Sequence, residues 1–112
     1  MNFPSEYHGK TVVIVSNVEK LDSTNAPELK TVFTVVNKSG NNKIVLNLEK
    51  TRYCDSSGLS AILVANRLCK DTNGSFVMYG LQASVLKMVQ IAQLDRVLSI
   101  LSTKEEALAS LD

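Results

Sequence analysis

The chain has 112 residues, 45% of them hydrophobic, with 12 basic and 11 acidic side chains and a formal net charge of +1. That length suits one domain that can bury a core without metal or disulfide staples, and near-neutral charge supplies no global field for nucleic acid or acidic lipid. Apolar runs such as residues 12–15 and 61–65 are far too short to span a bilayer, so no membrane insertion is expected. Met1-Asn2-Phe3-Pro4-Ser5 lacks a basic segment followed by an apolar one, and Cys54 and Cys69 lack Cys-x-x-Cys spacing. The expectation is a cytoplasmic protein with both thiols reduced.

Residues 3–7 offer a short edge strand, with Gly9 as a turn. Thr11-Val12-Val13-Ile14-Val15 is β-branched and almost wholly apolar, which fits a strand covered on both faces. A polar break over 16–24 follows, and Thr24 or Asn25 can cap a helix that tolerates Pro27 in its first turn. Ala26, Leu29, Val32, Phe33 and Val36 recur at helical spacing opposite Glu28, Lys30 and Thr34, until Ser39-Gly40-Asn41-Asn42 ends the helix. Ile44-Val45-Leu46-Asn47-Leu48 is a second buried strand. Residues 51–57 link it to a helix with apolar positions Leu59, Ile62, Leu63, Ala65, Leu68 and Cys69, closed by Asp71-Thr72-Asn73-Gly74. Residues 75–79 form a third strand ended by Gly80, and residues 83–94 another helix with Val85, Met88, Val89 and Ala92 on one side. The Met88 and Val89 stripe reads as core, or, with Leu86 and Ile91, as an exposed docking patch. Residues 97–101 give a short fourth strand, and Ser102-Thr103-Lys104-Glu105 is a capping box opening a last helix through Leu111.

This alternation predicts a single α/β domain: a mostly parallel sheet of four to five strands, about four helices and right-handed crossovers. Ligands and chemistry in such sheets collect at the carboxyl ends of strands. The Asp22 loop and the turn Asp55-Ser56-Ser57-Gly58 both lie at such ends. The turn packs an acid, two hydroxyls and a glycine into four positions. All are ordinary cap and turn residues, but only one of Ser56 and Ser57 is needed to cap the helix, and the other hydroxyl is surplus. A phosphate on Ser56 would add about −1.5 to −2 charges, partly stabilised by the helix start and repelled by Asp55. A partner surface fitted to a neutral serine would then lose affinity.

Several pieces, in order, resemble the STAS family, specifically the small anti-anti-sigma factors (anti-sigma factor antagonists). They are Leu21-Asp22 followed by Ala26 and Leu29, then Ile44-Val45-Leu46-Asn47-Leu48, then Asp55-Ser56-Ser57-Gly58-Leu59, the most specific motif. Gly74 before a strand, the helix over 85–94 and Glu105-Glu106-Ala107-Leu108 complete the match, so that residues 1–112 read as one STAS domain. The resemblance implies that Ser56, directly after the aspartate, is the phosphoacceptor. It implies an anti-sigma factor that is also an ATP-dependent serine kinase, bound by the unphosphorylated form, and a PP2C-type phosphatase that reverses the mark. Asp22 and Asp55, with Ser56, Ser57 and Gly58, form the implied partner-binding set, Asp55 orienting the acceptor hydroxyl. The chain departs from the family where Val18-Glu19-Lys20 replaces a usual glycine before Leu-Asp, and where Gln93-Leu94 stands for Gly-Leu. Other members serve stress-signalling assemblies or sit beside lipid transporters, so a scaffold subunit without a phosphorylation switch is the alternative.

Catalysis by the chain itself is not expected. A two-component receiver needs an acidic pair after its first strand to hold Mg²⁺, and here Ser16-Asn17-Val18 is followed by Glu19 alone. Gly58-Leu59-Ser60-Ala61-Ile62 lacks the second glycine of a nucleophile elbow, and the only histidine is His8. No Gly-rich phosphate loop, cofactor motif or metal-ligand spacing is present. Lys43, Lys50 and Arg52 are scattered rather than clustered, as on a solvated surface, so direct nucleic-acid binding is not expected. A monomer is the default.

Overall fold

The β-branched apolar runs become the middle of a five-stranded sheet, seen in a computed structural model that describes residues 1–111. In chain order the elements are β1 (Ser5–His8), β2 (Thr11–Val15), β3 (Lys20–Leu21), α1 (Ala26–Lys38), β4 (Lys43–Asn47), β5 (Tyr53–Cys54), α2 (Ser56–Asp71), β6 (Ser75–Tyr79), α3 (Ala83–Ile91), a 3-10 turn (Leu94–Arg96), β7 (Ser99–Leu101) and α4 (Lys104–Ser110). The sheet order is β1-β2-β4-β6-β7. Edge strand β1 runs antiparallel to β2, and the remaining neighbours are parallel. This is the mostly parallel α/β sheet with four helices that the alternation predicts.

Side chains alternate across each strand, which explains why the central runs are apolar throughout. Val12, Ile14, Ile44, Leu46, Phe76 and Met78 point to one face, where they meet Leu29 and Phe33 of α1, Ile62, Ala65 and Cys69 of α2, and Val85 and Val89 of α3. Phe33 and Phe76 meet edge to face with ring centroids 5.7 Å apart, a favoured aromatic geometry. Val13, Val45, Val77 and Tyr79 point the other way, beneath Ala107 and Leu111 at the end of the chain. Helices α1, α2 and α3 thus cover one face, and α4 alone covers the other.

Some local expectations shift. The last helix carries its capping box on Thr103 and Glu106, not on Ser102 and Glu105. The sequence satisfies the S/T-x-x-E pattern in two overlapping frames, and the second is used. Helix α3 ends at Ile91 rather than Leu94, because Gln93 adopts a left-handed conformation (φ 60°) that breaks the helix before the 3-10 turn. Ala92 therefore leaves the buried stripe and is exposed, while Met88 is half-buried and Ile91 is 66% exposed.

Candidate functional site

Residues 16–24 read as a polar break and 51–57 as a linker, yet each contains a two-residue strand. β3 and β5 pair in parallel, Lys20 opposite Tyr53 and Leu21 opposite Cys54. Leu21 and Cys54 are fully buried, whereas Lys20 and Tyr53 are exposed. The backbone N–H groups of Arg52 and Tyr53 donate to the Glu19 carbonyl at 2.8 and 3.1 Å, and the Asp55 N–H donates to the Leu21 carbonyl at 3.2 Å. Two buried hydroxyls join the same loops from below. Thr51 Oγ1 donates to the Val18 carbonyl at 2.7 Å, so Ser16 Oγ must be the donor in its 2.8 Å bond to Thr51. Both residues are wholly inaccessible, and each is satisfied, as burial of a polar group requires. The Asp22 and Asp55 turns are thereby held side by side.

Asp55 is the N-cap of α2. It has extended backbone angles (φ −99°, ψ −171°), and its Oδ1 accepts from the Gly58 N–H at 3.1 Å. The expectation that Ser56 or Ser57 caps the helix is therefore corrected. A carboxylate is the stronger acceptor and suits the positive end of the helix, so the cap falls one residue earlier. Ser56 and Ser57 become the first two helical residues, Ser56 exposed and Ser57 half-buried. Among the described residues neither hydroxyl has a hydrogen-bond partner. Gly58 is buried, so it sits beneath the surface of the site rather than on it. A Cβ at Gly58 would lie 2.6 Å from Cys54 Sγ, 2.7 Å from the Leu21 carbonyl oxygen and 2.9 Å from Leu21 Cγ. Only glycine lets α2 begin this close to β3 and β5.

Asp22 is used differently. Its Oδ1 accepts from the Thr24 N–H at 3.0 Å and from the Thr24 hydroxyl at 2.6 Å. These bonds, the hydroxyl's first, hold its carboxyl below the ordinary aspartate range, and Lys20 adds to the effect. Its carbonyl takes the N–H groups of Asn25 and Ala26 at 3.2 and 2.8 Å. Asn25 occupies the N-cap position of α1, but its side chain turns back: Oδ1 accepts from the Asp22 N–H at 3.0 Å and Nδ2 donates to the Lys20 carbonyl at 2.8 Å. Neither Thr24 nor Asn25 caps α1 with its side chain, contrary to expectation.

Two adjacent hollows open on this surface. One, of about 320 Å³, lies between α1 and α2 and is lined by Ser23, Ala26, Pro27, Lys30, Ser56, Ser57 and Ser60. The other, of about 400 Å³, is lined by Lys20, Asp22, Ser23, Tyr53 and Asp55. Asp22, Asp55, Ser56 and Ser57 are thus brought together, with Gly58 below them. Sequence reasoning missed Ser23, Lys30, Ser60, Lys20 and Tyr53. Helical spacing carries part of the missing signal, since Ser60 is one turn beyond Ser56 and Lys30 one turn beyond Ala26. Elsewhere, burial pushes the Cys54 thiol up to about 12, with Asp55 adding, and the Cys69 thiol up to about 11, so neither is a thiolate nucleophile. His8 lies on β1 beside Glu6, 3.5 Å away. Among the described residues no helix is long and apolar enough to cross a membrane.

Two βα turns are locked side by side, with an exposed serine at the mouth of the second helix, in a small α/β domain. The family model for the STAS domain matches residues 4–107, and the chain belongs to the STAS domain family. Among solved structures it is similar to TM1081 of Thermotoga maritima at 28% identity, over 97% of this chain and 93% of that one, with a TM-score of 0.90. The anti-sigma factor antagonist SpoIIAA in its unphosphorylated form matches at 25% identity, over 95% of this chain and 92% of that one, with a TM-score of 0.81. The Bacillus cell fate determinant SpoIIAA in its phosphorylated form has the same fold, at 23% identity over 98% and 99% of the two chains and a TM-score of 0.75.

Proposed function

We propose that this STAS domain, residues 1–112, is an anti-sigma factor antagonist-type regulatory module, switched by phosphorylation of Ser56. The observation that carries the reading is that Asp55 supplies the helix cap, which leaves the exposed Ser56 hydroxyl with no structural task. The existence of SpoIIAA in unphosphorylated and phosphorylated forms supports it. In this reading the domain is a substrate rather than an enzyme, and it works in the cytoplasm. A partner that is both anti-sigma factor and serine kinase brings ATP. Ser56 Oγ gives its proton to a base of the kinase and bonds to the γ-phosphorus, the bond from that phosphorus to the β–γ bridging oxygen breaks, and ADP leaves. A PP2C-type phosphatase hydrolyses the ester. Asp22, Asp55, Ser56 and Ser57 present the partner surface, with Gly58 setting the close packing beneath it. Placing a dianion where the partner accepts a neutral serine costs on the order of a few kcal/mol, a hundredfold or more in affinity.

The test incubates wild type and Ser56→Ala with the host's anti-sigma factor kinase and ATP, followed by mass spectrometry. One phosphoryl group is expected on wild type, at Ser56, and none on the variant; equal labelling of both overturns the assignment. Ser56→Asp is expected to bind the kinase at least tenfold more weakly, whereas a constitutive scaffold would bind its partner unchanged.

A further inference from the structure

The two hollows that flank the switch turn differ in charge. The one between α1 and α2 has Lys30 as its only ionisable lining residue, accompanied by the hydroxyls of Ser23, Ser57 and Ser60. Its neighbour sets the carboxyls of Asp22 and Asp55 against Lys20, with Tyr53 alongside. Among the described residues the salt bridges are His8–Glu6 and Lys104–Glu6, so the Lys30 ammonium is not engaged by a carboxylate. Ser56 and Ser60 are one turn apart on the side of α2 that faces α1, and Ala26 and Lys30 are one turn apart on the opposing side of α1.

From this geometry we infer that a phosphate on Ser56 is held within the chain, over the α1–α2 hollow, with Lys30 as its counter-ion and the Ser57 and Ser60 hydroxyls as donors. This rests on Ser56 being the acceptor. Attraction and repulsion act in the same direction. Lys30, a mobile cation on a four-carbon stem, draws the dianion in, while Asp22 and Asp55 close the other side to it. Phosphorylation then changes two helices at once. It places negative charge on α2 and cancels the Lys30 charge on α1, so a partner reading both helices loses a cationic contact as well as a neutral one. A phosphatase must also displace Lys30 to reach the ester.

The experiment uses the full chain with phosphoserine encoded genetically at position 56, which makes it independent of any kinase. The second ionisation of the phosphate, near pH 6 in free phosphoserine, is followed by ³¹P NMR. The charged or titratable groups facing it are Lys30 from α1, Lys20 and Asp22 from β3 and its turn, and Tyr53 and Asp55 from β5 and its turn. A neighbouring cation favours the dianion, so Lys30→Gln is expected to raise the midpoint by about half a pH unit. Lys30→Arg is expected to keep the wild-type midpoint, and Lys20→Gln to move it less than Lys30→Gln does. A midpoint unchanged in Lys30→Gln, or moved further by Lys20→Gln, overturns the inference. If the expected shift is seen and the kinase nevertheless leaves Ser56 unlabelled, the cradle stands and the switch reading fails.

Discussion

Helices α1 and α2 each start a few residues after a two-residue strand, and each start has an aspartate, yet the aspartates are committed to different tasks. Asp55 turns forward and caps α2 through the Gly58 N–H. Asp22 turns on itself, binding Thr24, and α1 begins without a side-chain cap. The third residue of each helix differs as well. In α2 it is Gly58, wedged against Leu21 and Cys54; in α1 it is Glu28, exposed and bonded to Asn2. The Asp55 turn therefore carries stability and the candidate modification site together. The Asp22 side chain carries surface shape and charge, and the structural duty of its turn falls to the backbone, whose carbonyl takes the Asn25 and Ala26 N–H groups.

The sharpest way to break this contrast is Gly58→Ala. The new methyl would meet a backbone carbonyl that cannot yield, and overpacking of this kind costs 1–3 kcal/mol or more (about 1 kcal/mol offset by alanine's better helix propensity). A net loss of about 1–2 kcal/mol in urea unfolding is expected, while Glu28→Ala at the matching position of α1 should stay within about 0.5 kcal/mol of wild type. Next in size is Asp55→Ala, which removes the cap and should cost about 1 kcal/mol, with Asp55→Asn retaining most of it. Smallest is the Asp22 turn. Asp22→Ala should leave the urea unfolding midpoint almost unchanged. Because the carboxyl is depressed in the folded state, its contribution is complete above the unfolded value near about pH 4 and is lost as the pH falls through the folded value. Thr24→Val, which deletes the largest cause, should move the Asp22 midpoint up toward the ordinary value in a ¹³C NMR titration.

The central strands were legible because a sheet covered on both faces demands consecutive apolar residues, as at Val12–Val15 in β2, Ile44–Leu46 in β4 and Phe76–Tyr79 in β6. Helix faces were legible by period, with Leu29, Phe33, Ile62, Ala65 and Cys69 all in the core. β3 and β5 were not, since two residues cannot show a period, and their pairing is what sets the Asp22 loop beside Asp55. The site's chemistry was visible as composition in Asp55-Ser56-Ser57-Gly58, but the division of labour within it was not. Both serines and the aspartate are competent caps, and only the backbone path, extended at Asp55, decides among them. Lys30 read as a residue of α1's polar face because its significance depends on the approach of α2, a tertiary fact.

The Ser16–Thr51 pair has a consequence for recognition. It ties both turns from within, through the Val18 carbonyl, so the surface above them is one preorganised plate. A protein docking there loses little conformational entropy on association. For such a surface, differences between related complexes lie mainly in dissociation. A phosphate added to a plate whose backbone is fixed in this way would act chiefly on residence time, letting the partner arrive and then leave early.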